Sequence, residues 1–284
     1  MKLKLVILTL SLSLVAAAFS PCFAVMEWSV QKKLQMKAPP VDVAVSLDDK
    51  WVFVLNDRGE VLVFSKDGSL KEKIQVGKHI DKITVGPRDS LLYLSSRKKK
   101  TVEIVELDFI QNINTAGSPY KGPADAPVVI AFFTDFECMY CARLVPLLEQ
   151  VLGQYPKEVK LVFKNFPLQN HKFAMKAAIA ALAAESQGKF WEFHDLLFKD
   201  YNQLNEGKIK EIVKKLDLNE QEFEKKMDDP QIVQKIKKDY IDGVNAGVSG
   251  TPTLFVNGRL LRNRSLDGFK EIIAKELGKA QAKR

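Results

Sequence analysis

The chain has 284 residues, 46% hydrophobic and 27% charged, with 43 basic against 35 acidic side chains and a formal net charge of +8. That length and apolar content support a sizeable core and more than one domain. The 15 glycines and 12 prolines follow no period, which excludes a collagen-like or disordered chain, and three cysteines, Cys22, Cys138 and Cys141, are too few to staple a small fold.

Residues 1–24 read as a secretory signal peptide. Lys2 and Lys4 lead an apolar run from Leu5 to Phe19, and the small residues Cys22 and Ala24 stand at the −3 and −1 places of a cut after Ala24. Ser11, Ser13, Ser20 and Pro21 keep the run short of the ~20 apolar residues of a membrane span, and Pro21 disfavours lipid attachment at Cys22. Cleavage removes Lys2 and Lys4, taking the net charge from +8 to +6. It also leaves one close pair of cysteines, as suits a protein of the periplasm or another exported, oxidising location. The tightest basic run, Arg97 to Lys100, falls between two strand-like segments and reads as a solvated turn, so no nucleic-acid partner is expected.

Residues 25–107 show short apolar runs broken by turn residues, the pattern of an all-β unit. Val41–Val45, Trp51–Leu55 and Val61–Phe64 are followed by a segment around Ile74 to Val76, and then the pattern restarts. Ile80-Asp81 echoes Val41-Asp42, Leu91–Leu94 echoes Val52–Leu55, and Val102–Leu107 echoes Val61–Phe64, at spacings of 39, 39 and 41 residues. With a first strand around Leu34 to Met36 this gives two blade-like repeats, which resemble β-propeller blades in architecture while lacking their signature dipeptides. A ring takes about four to eight blades. Two leave strand edges to be covered by the rest of the chain or by other copies, and a homo-oligomer through residues 25–107 is expected.

Residues 108–127, rich in Asn, Gly and Pro, read as a linker and lead-in to the second domain, 128–284. There Val128–Phe133 is a buried-strand run, Ala142–Leu152 has helical spacing and Val159–Phe163 is a second strand, which is a βαβ start. Helical stretches follow at Phe173–Ala184, Phe190–Phe198, Ile209–Leu216, Glu220–Met227 and Ile232–Val244. Thr253–Val256, the turn Asn257-Gly258 and Arg259–Leu261 make a hairpin, and a helix over Leu266–Leu277 closes the chain.

The chemistry centres on Cys138-Met139-Tyr140-Cys141, between the first buried strand and a helix. A structural zinc site wants four ligands, and His79, His171 and His194 are too scattered to complete one, so no metal and no cofactor is expected. As a redox pair, both sulfurs fall within one helical turn. Cys138 lies at the helix N-terminus, where free N–H groups and the helix dipole favour a thiolate, and is the expected exposed nucleophile. Cys141, one turn in, is the expected shielded resolving thiol. Glu137 and Lys164 are candidates for a proton relay to Cys141, and Tyr140 for a peptide-binding surface. Phe136, His171 and His194 read as packing or capping residues.

Several segments around this pair occur together in one family. Ala124-Asp125-Ala126-Pro127, Phe133 to Glu137, Phe166-Pro167-Leu168, His171, Gln187 to Trp191 and Val248 to Thr253 resemble the DsbA-like family of the thioredoxin superfamily over about Gly117 to Leu277. The resemblance implies a thioredoxin fold with a helical insertion, an α/β unit following the small all-β domain. It also implies a cis-proline loop at Thr251-Pro252 beside the cysteines, presenting backbone to an extended substrate. The family's strongly oxidising members carry Pro-His between the cysteines, where this chain has Met139-Tyr140.

The resemblance implies a thiol–disulfide oxidoreductase, oxidase or isomerase, acting on reduced or misdisulfided secreted proteins and recycled by a membrane redox partner. The other classes weighed are a binding or scaffold protein recruiting partners through its β-repeats, and a copper-handling thiol protein.

Overall fold

In the computed structural model, residues 26–88 and 90–282 are described, and the expected signal segment with Cys22 lies outside them. The described residues divide into two compact units, one comprising 26–88 together with 93–103, the other 90–92 and 104–282.

The first unit opens with a four-stranded antiparallel meander, β1 (Pro40–Val45), β2 (Trp51–Asn56), β3 (Glu60–Ser65) and β4 (Leu70–Gln75), in that order across the sheet. A three-stranded sheet follows, β5 (Lys82–Val85), β6 (Leu91–Ser96) and β7 (Thr101–Glu106). The all-β expectation holds, but the segment at Leu34 to Met36 is not a strand. Leu34 and Met36 instead pack as a cover on Val54, Leu62 and Phe64. The first sheet finds its four strands from Pro40 onward, and the second has three. At the repeated aspartate, the two copies do similar work: Asp42 accepts the Ile83 amide at 2.8 Å and Asp81 accepts the Arg97 amide at 2.8 Å. Each carboxylate satisfies a backbone donor that would otherwise be orphaned.

The second unit is built on a five-stranded sheet. β9 (Val128–Thr134) and β10 (Val159–Asn165) are parallel, and α1 (Met139–Gln154) connects them. β11 (Thr253–Val256) runs antiparallel to β9, β12 (Arg259–Leu260) pairs with β11, and β8 (Tyr120–Lys121) pairs antiparallel with β10. The near-continuous apolar runs of β9 and β10 follow from burial on both faces. Alternation sends Ile130, Phe132, Leu161 and Phe163 to the α1 face, where Cys141, Leu144 and Leu148 meet them, and Ala131, Phe133 and Phe255 to the other, with Phe166 and Val248.

Between β10 and β11 lies a helical insertion, α2 (Ala174–Glu185), α3 (Phe190–Lys199), α4 (Glu206–Lys215), α5 (Glu220–Met227) and α6 (Pro230–Asn245); α7 (Leu266–Ala282) follows the hairpin. The insertion carries its own start signals. Asn205, Asn219 and Asp229 cap α4, α5 and α6 through the Lys208, Glu222 and Gln231 amides, with Pro230 in the first turn of α6. Gly243 is required where α6 crosses the sheet, since a Cβ there would lie 2.8 Å from the Phe166 ring.

The segment expected as a linker and entry to the second domain, 108–127, packs within this unit. The Gln111 amide donates to the Gly258 carbonyl at 2.8 Å, the Phe163 amide donates to the Pro119 carbonyl at 2.9 Å, and Asp108 pairs with Arg259 at 2.6 Å and Lys275 at 2.9 Å. Asn257 and Gly258 take positive φ in the hairpin turn, and a Cβ on Gly258 would sit 2.2 Å from the Gln111 oxygen. Asn and Gly residues that read as loop chemistry here serve close backbone approach.

His194 on α3 is 2% exposed, ringed by Phe136, Phe163, Phe190, Trp191 and Phe198, with Nδ1 2.8 Å from Asp195. Burial pushes its pKa below the usual histidine value, against the opposing pull of Asp195. The fold therefore holds the ring neutral, while the unfolded chain protonates it below about pH 6.5. Stability contributed above that pH is lost as the pH falls below it. His194→Phe is expected to flatten the dependence of urea-unfolding free energy on pH between about 7 and 5; a variant profile parallel to that of the natural chain would refute this.

Candidate active site

β9 delivers the chain to the site and α1 carries it away. After Thr134 the backbone turns through Asp135, Phe136 and Glu137, with the Cys138 amide donating to the Asp135 carbonyl at 3.1 Å, and Cys138 becomes the N-cap residue of α1. Phe136 anchors the turn, 1% exposed and stacked on Phe163 at 5.2 Å between ring centres. No acidic side chain sits in the first turn of α1 to oppose a thiolate.

Both cysteines are free thiols. Cys138 is brought down to a pKa of about 5, first by the Cys141 thiol donating to its sulfur, then by the Thr251 side chain and the Cys141 and Tyr140 amides; partial burial opposes them. Its sulfur lies 3.4 Å from the Thr251 carbonyl oxygen. Cys141 is fully buried, and burial pushes its thiol well above the usual range, reinforced by the neighbouring Cys138 and only partly offset by Thr134. The pair is thus polarised into one thiolate and one retained proton, as the order of the residues on the helix suggests. Cys138 is more covered than the sequence implies, only 5% exposed, because the segment carrying Thr251 closes over the helix start.

The Thr251–Pro252 peptide is cis, and Pro252 is buried. Tyr140, the other residue expected to meet substrate, is 62% exposed on the first turn of α1.

Glu137 and Lys164, expected as a relay, belong to different networks. Glu137 Oε2 accepts the Phe173 amide at 2.5 Å. Lys164, 2% exposed, projects from the sheet face opposite Phe163 and pairs with Asp239 at 2.5 Å and Asp242 at 3.2 Å on α6, while also donating to the Asn114 carbonyl at 2.8 Å. Strand alternation accounts for the difference. Residue 163 faces the cysteine helix, so residue 164 cannot.

Sequence reasoning gave Asp135 no role of its own and read His171 as a packing or capping residue. Asp135 is 2% exposed and accepts the Glu137 and Leu168 amides, each at 2.7 Å, together with His171 Nδ1 at 2.9 Å. The available signal was a carboxylate inside the apolar run from Val128 to Phe136, a place where a charge must find partners.

A central sheet with parallel β9 and β10, a helix opened by a Cys-x-x-Cys pair and a facing Thr–cis-Pro segment together define a thioredoxin-fold dithiol domain. The family described as Thioredoxin matches residues 114–275, more than half of the chain, and the chain belongs to that family, in the DsbA-like form of the fold with its helical insertion.

Among solved structures it is similar to Proteus mirabilis ScsC, at 28% identity and TM-score 0.51, covering 58% of this chain and 75% of that one. It shares the fold of BdbD from Bacillus subtilis, at 24% identity and TM-score 0.53, over 60% of this chain and 98% of that one. It also shares the fold of the thiol-disulfide exchange protein alpha-DsbA2 from Wolbachia pipientis, at 23% and 0.52, over 56% and 87%. Among curated proteins it is 36% identical over 154 residues to the Na(+)/H(+) antiporter NhaA 3 of Salinispora tropica, a match covering 54% of this chain and 24% of that protein. The chain therefore spans about a quarter of the curated relative's length. No helix among the described residues is long and apolar enough to cross a membrane.

Proposed function

We propose that the chain is an exported thiol–disulfide oxidoreductase that donates disulfides to reduced secreted proteins. The observation that carries this reading is the division of labour in the Cys138–Cys141 pair, a thiolate held by the Cys141 thiol, Thr251 and the helix-start amides beside a fully buried thiol. In the oxidised enzyme, a substrate thiolate attacks the Cys138 sulfur and the Cys138–Cys141 bond breaks, forming a substrate–Cys138 mixed disulfide. A second substrate thiolate then attacks the substrate sulfur of that bond and expels Cys138 as thiolate. The substrate is oxidised by two electrons and the enzyme dithiol is the reduced product. Stabilising the Cys138 thiolate favours that product and makes the enzyme an oxidant. A membrane redox partner takes the two electrons and restores the disulfide. Thr251, Pro252 and Tyr140 present backbone and an exposed ring to the extended substrate.

The experiment is equilibration of the full chain with glutathione, followed by mixing of the oxidised chain with a reduced, unfolded test protein. A potential toward the oxidising end of the superfamily, about −120 mV, with stoichiometric transfer of disulfides is expected. A potential near about −270 mV, with net reduction of disulfide substrates, would overturn the oxidase reading.

A further inference from the structure

Asp135 meets both cysteines through its backbone. Its carbonyl accepts the Cys138 amide at 3.1 Å, and its own amide faces the Cys141 sulfur. Its side chain, 0% exposed, reaches across to the loop between β10 and α2, where Leu168 N and His171 Nδ1 meet Oδ2 at 2.7 and 2.9 Å. Oδ1 is used within the turn, by the Glu137 amide at 2.7 Å. Two amides donating to the carboxylate identify it as an acceptor, so His171 carries a proton on Nδ1. Glu137, the other charged residue of this turn, adds a second strut to the same loop by accepting the Phe173 amide at 2.5 Å.

We propose that Asp135 and His171 form a positioning pair that clamps the turn before α1 to the loop after β10 and so keeps the Cys138 sulfur in register with its amide donors. The proposal rests on the thiol–disulfide reading above and adds residues to it that touch neither substrate nor sulfur through their side chains. The mechanism is geometric. The Asp135 side chain is buried, and without the His171 hydrogen bond one of its oxygens loses a donor inside the protein, so the turn must shift to recover one. Any such shift moves the Asp135 carbonyl and amide, and with them the start of α1. The Tyr140 and Cys141 amides that hold the Cys138 thiolate then lose alignment, and the thiolate loses stabilisation. His171, with a side chain 24% exposed, is the half of the clamp that can be altered without opening the core.

The test uses the full chain with His171→Ala and His171→Asn. The asparagine amide nitrogen can donate to the same carboxylate oxygen from about the position of Nδ1. Cys138 is titrated in the reduced protein by its thiolate absorbance, and the dithiol is equilibrated with glutathione. The alanine variant is expected to move the thiolate inflection upward by about one pH unit, roughly a tenfold loss of thiolate below the inflection, and to become a weaker oxidant. The asparagine variant is expected to keep both quantities within about twofold of the natural chain. An alanine variant altered only in thermal stability, with inflection and equilibrium constant unmoved, overturns the proposal, and so does an asparagine variant shifted as far as alanine. The titration needs no turnover, so a chain that fails to oxidise a reduced test protein counts against the functional reading alone.

Discussion

Replacing Cys141 by alanine is expected to accumulate mixed disulfides through Cys138, and replacing Cys138 by serine to abolish exchange. The geometry leaves little room for the reverse order, because Cys141 is 0% exposed and its proton is held by burial, whereas Cys138 titrates near about 5. Alkylation at about pH 5.5 separates the two alternatives. There a thiol of pKa about 5 is mostly thiolate, while an ordinary thiol is under ~0.1% ionised, an advantage of about three orders of magnitude. The low pKa weakens the Cys138 thiolate as a nucleophile, by somewhat under two orders with a Brønsted slope of about 0.45, so its net preference over an ordinary thiol is about 10- to 100-fold, and burial of Cys141 adds to it. Mass spectrometry after brief alkylation measures it, and Cys141 labelled first would reverse the assignment.

The same titration links redox state to stability. With its folded pKa depressed from 9.0 to about 5, Cys138 gives the reduced protein a contribution fully present above about pH 9, diminishing as the pH falls and gone below about pH 5. The oxidised protein has no such titration. The stability of the reduced form relative to the oxidised form should therefore decline from about pH 9 to about pH 5.

The second large effect is expected at Lys164. Its ammonium group is enclosed with Asp239, whose carboxylate also accepts the Asn165 amide at 3.1 Å and the Asn165 side chain at 2.9 Å. Lys164→Met leaves that buried carboxylate without its counter-charge, which costs about 3–5 kcal/mol. Pairing it with Asp239→Asn should recover part of the loss, since the unpaired charge is gone while the amide oxygen can still accept from Asn165. Urea denaturation of both variants measures this; a loss under about 1 kcal/mol for Lys164→Met would show that Asp242 and solvent adjust around the vacancy. A thiolate titration left unchanged in Lys164→Met would agree with the placement of Lys164 on the sheet face away from the cysteines.

Local chemistry was readable wherever neighbours in sequence are neighbours in space. The apolar run of β9, the three-residue spacing of Cys138 and Cys141 and the Asn257-Gly258 turn each act within a few residues. Those elements stand where periodicity and turn chemistry place them. The resemblance carried by scattered motifs extended that reading to the thioredoxin fold, because the motifs mark one arrangement of strands and helices.

What lay beyond the sequence was set by pairings across long separations. The face on which Lys164 emerges depends on the register of β10 against β9, and a shift of one residue would have turned it toward the cysteines. Asp135 finds His171 across 36 residues. The Asn and Gly residues of 108–127 look like linker chemistry until Gln111 is seen against Gly258. Leu34 and Met36 have the composition of a strand and serve as a cover. The sequence by itself determined most of the elements and the placing of the cysteine pair at the start of α1, consequences of local backbone preference. Only the tertiary structure decided which buried charges meet, since a buried charge takes the nearest available partner and that partner is chosen by sheet register and helix packing.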